Sequence, residues 1–151
     1  MELGLKTCRL NHLDEERMKI QPNDFFMEIG GLKKAGLLLD CVILDPPFFS
    51  TTARGTVDMV NQGARMINKC RPLIKDGGWL ISINNALFVS GKDLQTSNDL
   101  LCSDGYLQVE EIINVPEDIT GFPQILKGGF PVDPTPYNHP TKITIFKIRR
   151  K

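Results

Sequence analysis

The clearest pattern in the chain is a near-continuous apolar run, Leu37-Leu38-Leu39-Asp40-Cys41-Val42-Ile43-Leu44, halted by Asp45-Pro46-Pro47. A short run of this kind stopped by a polar turn predicts a central parallel strand buried on both faces. Before it, Leu3, Cys8, Leu10 and Leu13 suit a short helix within Met1–Leu13, and Arg17–Gln21 alternates polar and apolar like a strand before Pro22-Asn23-Asp24 breaks it. Phe25 to Ala35 reads as an amphipathic helix with Asp24 as its N-cap, although Gly30-Gly31 weakens the pattern. After the proline turn, Val57, Val60, Ala64, Ile67 and Ile74 approach a helical period, and Lys75-Asp76-Gly77-Gly78 reads as the C-cap of one long helix. Trp79–Ile83 then predicts a strand, Leu94–Leu101 a helix and Leu107–Val115 a strand. A Pro/Gly-rich loop over Pro116–Pro140 and a strand at Lys142–Ile148 complete the chain.

Strands alternating with helices favour an α/β fold: a doubly wound, mainly parallel sheet, with an antiparallel C-terminal edge where the long loop joins the last two strands. The loop carries Phe122-Pro123, Gly128-Gly129-Phe130-Pro131 and Asp133–Tyr137. It reads equally as a stiff substrate-facing flap or as a surface crossover packing its own aromatics. At 151 residues, 41% hydrophobic and 24% charged, the chain has the size and balance of one globular domain. No apolar run reaches the roughly 20 residues of a membrane span, and Met1–Lys6 resembles neither a signal nor a transit peptide. The expectation is a soluble, cytoplasmic protein, or an organellar one if a segment precedes it.

Eighteen basic and eighteen acidic side chains cancel, so a nucleic-acid partner has to be held by a local patch. Lys147, Arg149, Arg150 and Lys151 are basic enough to touch phosphates, but fit a solvated tail better. The four cysteines, 8, 41, 70 and 102, have no metal-like spacing with His12 or His139; they predict reduced thiols and no metal. His139 beside Pro140 reads as structural more readily than as a proton acceptor.

In an open α/β sheet, ligands sit beyond the C-terminal ends of the strands. Asp45-Pro46-Pro47-Phe48 occupies such an end. Two prolines fix the backbone and remove two donors, leaving a carboxylate and carbonyls that only accept hydrogen bonds. Beside Phe48 or Phe49 they suit a flat heterocycle bearing an amino group: the oxygens accept its N–H bonds and the ring stacks on its face. Withdrawing proton density sharpens that nitrogen's lone pair for attack on a methyl sulfonium. A tight turn with a capping Asp and buried aromatics is the plainer alternative.

Asp40–Ser50, with its strand ending in Asp-Pro-Pro-Phe-Phe-Ser, resembles the fourth motif of class I, Rossmann-like S-adenosylmethionine-dependent methyltransferases. It looks most like the ribosomal-RNA large-subunit base methyltransferases. Asn11–Arg17 followed by Asp24-Phe25 is similar to that family's helix, third strand and adenine-contacting turn. Leu73–Leu80 resembles its L-x-K-x-G-G entry to the fifth strand, and Asn84-Asn85 lies where members carry S-N-N or, for cytosine-C5 transfer, a cysteine nucleophile. The likeness runs from about Asn11 to the end of the chain.

The resemblance implies S-adenosylmethionine as cofactor, with Asp24 accepting from the adenine amino group and Phe25 packing on its ring. It implies that Asp45, Pro46, Pro47 and Phe48 hold the target base and that Asn84 and Asn85 orient it, unless the asparagines only cap their turn. With asparagine in place of the cysteine, it implies methylation of a base nitrogen, in RNA and most in keeping with ribosomal RNA, by in-line transfer without a covalent enzyme intermediate. The chain departs from the pattern in lacking the first two strands and the Gly-rich turn between them. Residues 1–151 are therefore expected to form an incomplete methyltransferase domain that binds the cofactor weakly or not at all. The absent strands would lie between Arg17–Gln21 and Leu38–Leu44, leaving the apolar strand an exposed edge. A protein or small-molecule acceptor, and a catalytically silent remnant serving as an interaction domain, remain open; the sequence does not fix the oligomeric state.

Overall fold

The structure, a computed structural model, describes residues 2–86, 89–120, 137 and 139–150. A sheet of β1 (Leu39–Leu44), β4 (Ile74–Asn84), β6 (Lys142–Ile148) and β5 (Leu107–Ile113) runs in the order β1-β4-β6-β5. β1 and β4 are parallel, and β6 is antiparallel to both β4 and β5. β1, β4 and β5 thus share one direction in a mixed α/β sheet, and the antiparallel strand lies one place in from the C-terminal edge.

Alternation along β4 and β6 builds the core. Leu80, Phe146 and Ile148 are buried on one face, whereas Trp79, Ile81, Ile83, Ile143 and Ile145 are half-exposed on the other. The buried face is covered by α3 (Gly63–Cys70), which contributes Met66, Ile67 and Cys70, and by α4 (Gly91–Cys102), which contributes Leu101. α2 (Phe25–Lys34) packs Phe25, Phe26 and Ile29 against the same core. α1 (Glu2–Leu10) lies to the side, with buried Cys8 against the Met18 sulfur. Among the described residues, no helix is long and apolar enough to cross a membrane.

Four expectations need correction. Arg17–Gln21 is no strand: a 3-10 turn ends at Arg17 and residues 18–24 are unpaired, because a strand needs a partner and none of the described strands lies beside it. β1 is not buried on both faces as its apolar run suggested; it is the exposed sheet edge that the methyltransferase resemblance implied, with Ile43 67% exposed. The long helix after the proline turn is instead an antiparallel hairpin, β2 (Phe49–Thr52) with β3 (Gly55–Asp58), followed by α3. Lys75–Gly78 caps no helix but belongs to β4, where Gly77 takes a φ of 69° and Gly78 comes so close that an added Cβ would sit 2.8 Å from the Asp40 carbonyl oxygen.

The loop expected over Pro116–Pro140 includes a short helix, α5 (Glu117–Thr120); residues 121–136 and 138, with the Phe122, Phe130 and Asp133 motifs, lie outside the described residues. His139 is structural, its Nδ1 accepting the Thr141 N–H at 3.1 Å. All four cysteines are free. The basic end is no solvated tail up to Arg150: the Arg150 N–H donates to Asp76 and its Nε to the Ile74 carbonyl.

Candidate active site

Because β1 and β4 are parallel neighbours with Leu44 opposite Ser82, the chain leaves both strands at the same end of the sheet. The register brings the Asp45 turn beside Asn84-Asn85, and Asn85 Nδ2 donates to Asp45 Oδ1 at 3.0 Å. Residues 40 positions apart in sequence thereby form one rigid pair. Asp45 and Asn85 are exposed, as are Pro47 and Phe48; Pro46 is half-buried. The Phe48 carbonyl accepts the Met59 N–H at 2.8 Å, which fixes the turn's exit, while the ring is 52% exposed.

Asn84 behaves differently. It is buried, its Nδ2 donates to the Met59 carbonyl at 3.3 Å and its Oδ1 accepts the Ala86 N–H at 2.8 Å. Its side chain therefore ties the end of β4 to the segment leaving the hairpin, the capping alternative raised for it by the sequence.

Across from Asp45, the Asp24 carboxylate caps α2, with Oδ1 accepting from the N–H groups of Phe26 at 2.9 Å and Met27 at 3.3 Å. The neighbouring Thr52 side chain, those backbone bonds and the Arg54 charge together hold its carboxyl below the usual aspartate range, so at neutral pH it only accepts. Phe25 follows, edge-on to Phe26 at 5.2 Å and 82°.

Between these groups lies an open cavity of about 400 Å³. Asp24, Phe25 and Ile29 form one wall and Val42 through Pro47 another. The third comes from the hairpin, through Ser50, Thr52 and Val57, with Cys70 at the back. Burial pushes the Cys70 thiol up to about 11, so it is a neutral, inert lining group. The volume falls within the roughly 300–1,000 Å³ of small-molecule pockets. Asp24, Phe25, Asp45, Pro46 and Pro47 thus line one cavity, with Asn85 bonded to its rim; Phe48 stands exposed beside it and Asn84 lies behind.

Sequence reasoning missed the hairpin wall. Its signal was present in Phe49–Thr52, a β-rich segment ending at Ala53-Arg54-Gly55, but the helical spacing that begins at Val57 masked it. Among the described residues, no cluster of three His, Cys, Asp or Glu could hold a metal.

Comparison with solved structures places the fold. SMU.776, proposed to be a methyltransferase and solved with S-adenosylhomocysteine (SAH), superposes with a TM-score of 0.77 over 97% of the chain at 17% identity. A structure proposed to be a SAM-dependent methyltransferase from Streptococcus mutans gives 0.73, again over 97% of the chain at 17% identity. The fold is a class I methyltransferase fold. M1.HpyAVI shares it less closely, with a TM-score of 0.55 over 87% of the chain at 18% identity, and has also been solved with S-adenosylmethionine (SAM). The chain spans 36% of SMU.776, 35% of the S. mutans protein and 55% of M1.HpyAVI. No protein-family model matches the sequence, and no curated protein does. Within the methyltransferase fold, Asp45 stands at the C-terminal end of a parallel strand, where open α/β sheets bind ligands.

Proposed function

We propose that this chain is the acceptor-binding part of a SAM-dependent methyltransferase that methylates a nitrogen of a nucleic-acid base, with ribosomal RNA favoured by the Asp-Pro-Pro-Phe-Phe-Ser turn. The observation that carries this reading is the outward-facing Asp45, locked by Asn85 at 3.0 Å and lining the same cavity as Asp24 and Phe25.

Each group has a chemical task. Asp24, ionised and acceptor-only, suits the amino group of an adenine, and the Phe25 ring suits its face. When bound, SAM supplies an electrophilic methyl group. Asp45 would accept an N–H bond from the target base, which raises electron density on that nitrogen, opposes positive charge there and offers an oxygen to take the proton that the nitrogen gives up when the methyl leaves sulfur for it. Asn85 holds the carboxylate in that direction at no cost during reaction, because the bond is already made. Exposed Phe48 offers a face for the base to stack on. The residues fit the adenine side of the cofactor; among them nothing addresses its ribose, so the 151-residue chain is expected to show no micromolar SAM binding by calorimetry. Tight binding would overturn that expectation.

The activity test is tritiated methyl transfer at millimolar SAM, with total RNA, DNA and protein offered side by side. The expected result is label in nucleic acid, reduced by roughly 10²-fold or more in Asp45→Ala. Label in protein, or label indifferent to that substitution, overturns the assignment; no label in any fraction favours a silent interaction domain.

A further inference from the structure

At the end of the sheet opposite Asp45, where β4 and β5 begin and β6 finishes, lies a second cavity of about 310 Å³, lined by Arg71, Pro72, Tyr106, Ile148, Arg149 and Arg150. Its walls are fixed by hydrogen bonds. The Arg149 N–H donates to the Tyr106 carbonyl at 2.9 Å. The Arg150 guanidinium donates Nε to the Ile74 carbonyl at 2.9 Å and Nη2 to the Pro72 carbonyl. Arg71 lies 5.4 Å over the Tyr106 ring and pairs with Asp104 at 2.7 Å.

These partners divide the charges unequally. Asp104 balances Arg71, whereas carbonyl oxygens satisfy the Arg150 donors without cancelling its charge, which Asp76, on the Arg150 N–H, offsets only in part. The exposed Arg149 side chain makes no hydrogen bond or ion pair among the described residues. A chain with zero net charge therefore presents a preformed, locally positive cleft with a guanidinium fork open to solvent. Planar forks of this kind match phosphate oxygens in two-point contacts.

We propose that this cleft grips a backbone phosphate of a polynucleotide, an inference that rests on the nucleic-acid reading above and extends it. The length of β4 decides between a polymer and a small phosphate ligand. Its Asn84 pairs with Lys142, seven residues along β6 from Arg149, which at about 3.3 Å each puts the cleft roughly 20 Å or more from the Asp45 turn. A free nucleotide does not bridge that gap, whereas about seven stacked nucleotides do. A polynucleotide is thus the ligand that engages both ends of one sheet, with a base at one end and a phosphate at the other.

The test is fluorescence anisotropy of the full chain with a labelled 20-nucleotide single-stranded RNA, without cofactor, at 50 to 200 mM salt, with AMP as competitor. The variant is Arg149→Glu, exposed and outside the proposed catalytic cavity. Lys6→Glu, the same charge change on α1, is the control, and circular dichroism checks that both variants fold. Arg149→Glu is expected to weaken RNA binding on the order of tenfold and to lower the salt slope by about one, with Lys6→Glu near wild type and AMP a poor competitor. Equal effects of the two substitutions, an unchanged salt slope, or AMP competing as well as RNA per phosphate would overturn the proposal. Loss of RNA binding is read apart from methyl transfer at Asp45, so either claim can fail alone.

Discussion

Asp45 and Asn84, both at the site end of the sheet, differ in how far their sequence context defines them. Two prolines stiffen the backbone after Asp45 whatever packs nearby, so its outward direction is written locally. Asn84 is defined by the Met59 carbonyl, 25 positions away, and no local pattern announces that partner. The same holds for Asn98, which donates to the Tyr137 hydroxyl at 3.1 Å and to Thr144 Oγ1 at 3.3 Å inside the protein. Asn98→Ala should cost about 1–3 kcal/mol in urea unfolding, because it strips a donor from two buried hydroxyls. Cys70 gives a pH signature. Burial raises its thiol from 9.0 to about 11, so the unfolded chain releases that proton first as pH climbs. The associated stability is complete below pH 9.0, declines as pH rises towards about 11, and should vanish as a slope in Cys70→Ala. Denaturation midpoints at several alkaline pH values check this.

At the scale of elements, the hairpin of β2 and β3 shows how packing overrules pattern. Val57 and Val60 begin a helical spacing, yet Gly55 and Val57 lie in a strand pressed against α2. The reason is space: a Cβ on Gly55 would meet the Phe26 ring at 2.6 Å, a contact only glycine permits. Gly55→Ala should destabilise the fold by about 1–3 kcal/mol, and Phe26→Leu in the same chain should recover part of that loss, since the clash and the ring are one contact. Thermal melts of the single and double variants measure the coupling. Independent losses would show that the hairpin does not rest on α2 through this contact. Asp24 belongs to the same unit: it caps α2, and the nearby Thr52 of the hairpin helps to lower its carboxyl, so helix and hairpin meet at the cavity's mouth.

For the whole molecule, the governing feature is an α/β sheet whose β1 lies at the edge, with Ile43 67% exposed and Leu37 and Leu38 nearly half so. An apolar edge strand offers unpaired backbone groups to any other strand. The chain should therefore self-associate with concentration, and Ile43→Lys should suppress that association in light scattering while leaving the melting temperature nearly unchanged. Association unaffected by the lysine would mean that another surface drives it. The cavity beside the edge and the arginine cleft lie at opposite ends of the same strands, the two places where the proposed base and phosphate contacts would fall.

The sequence by itself determined the β1 run and its proline stop, the capped helix at Asp24 and the last strand at Lys142–Ile148, because each is set by neighbours a few residues away. Tertiary structure alone decided that β6 enters between β4 and β5, that Asn85 rather than Asn84 meets Asp45, and that Val57 joins a strand. It also gathered Arg71, Tyr106 and Arg149 into one cleft. Those outcomes depend on registers and contacts between segments far apart in the chain, where the energy lies in what meets across the fold and leaves no periodic trace along it.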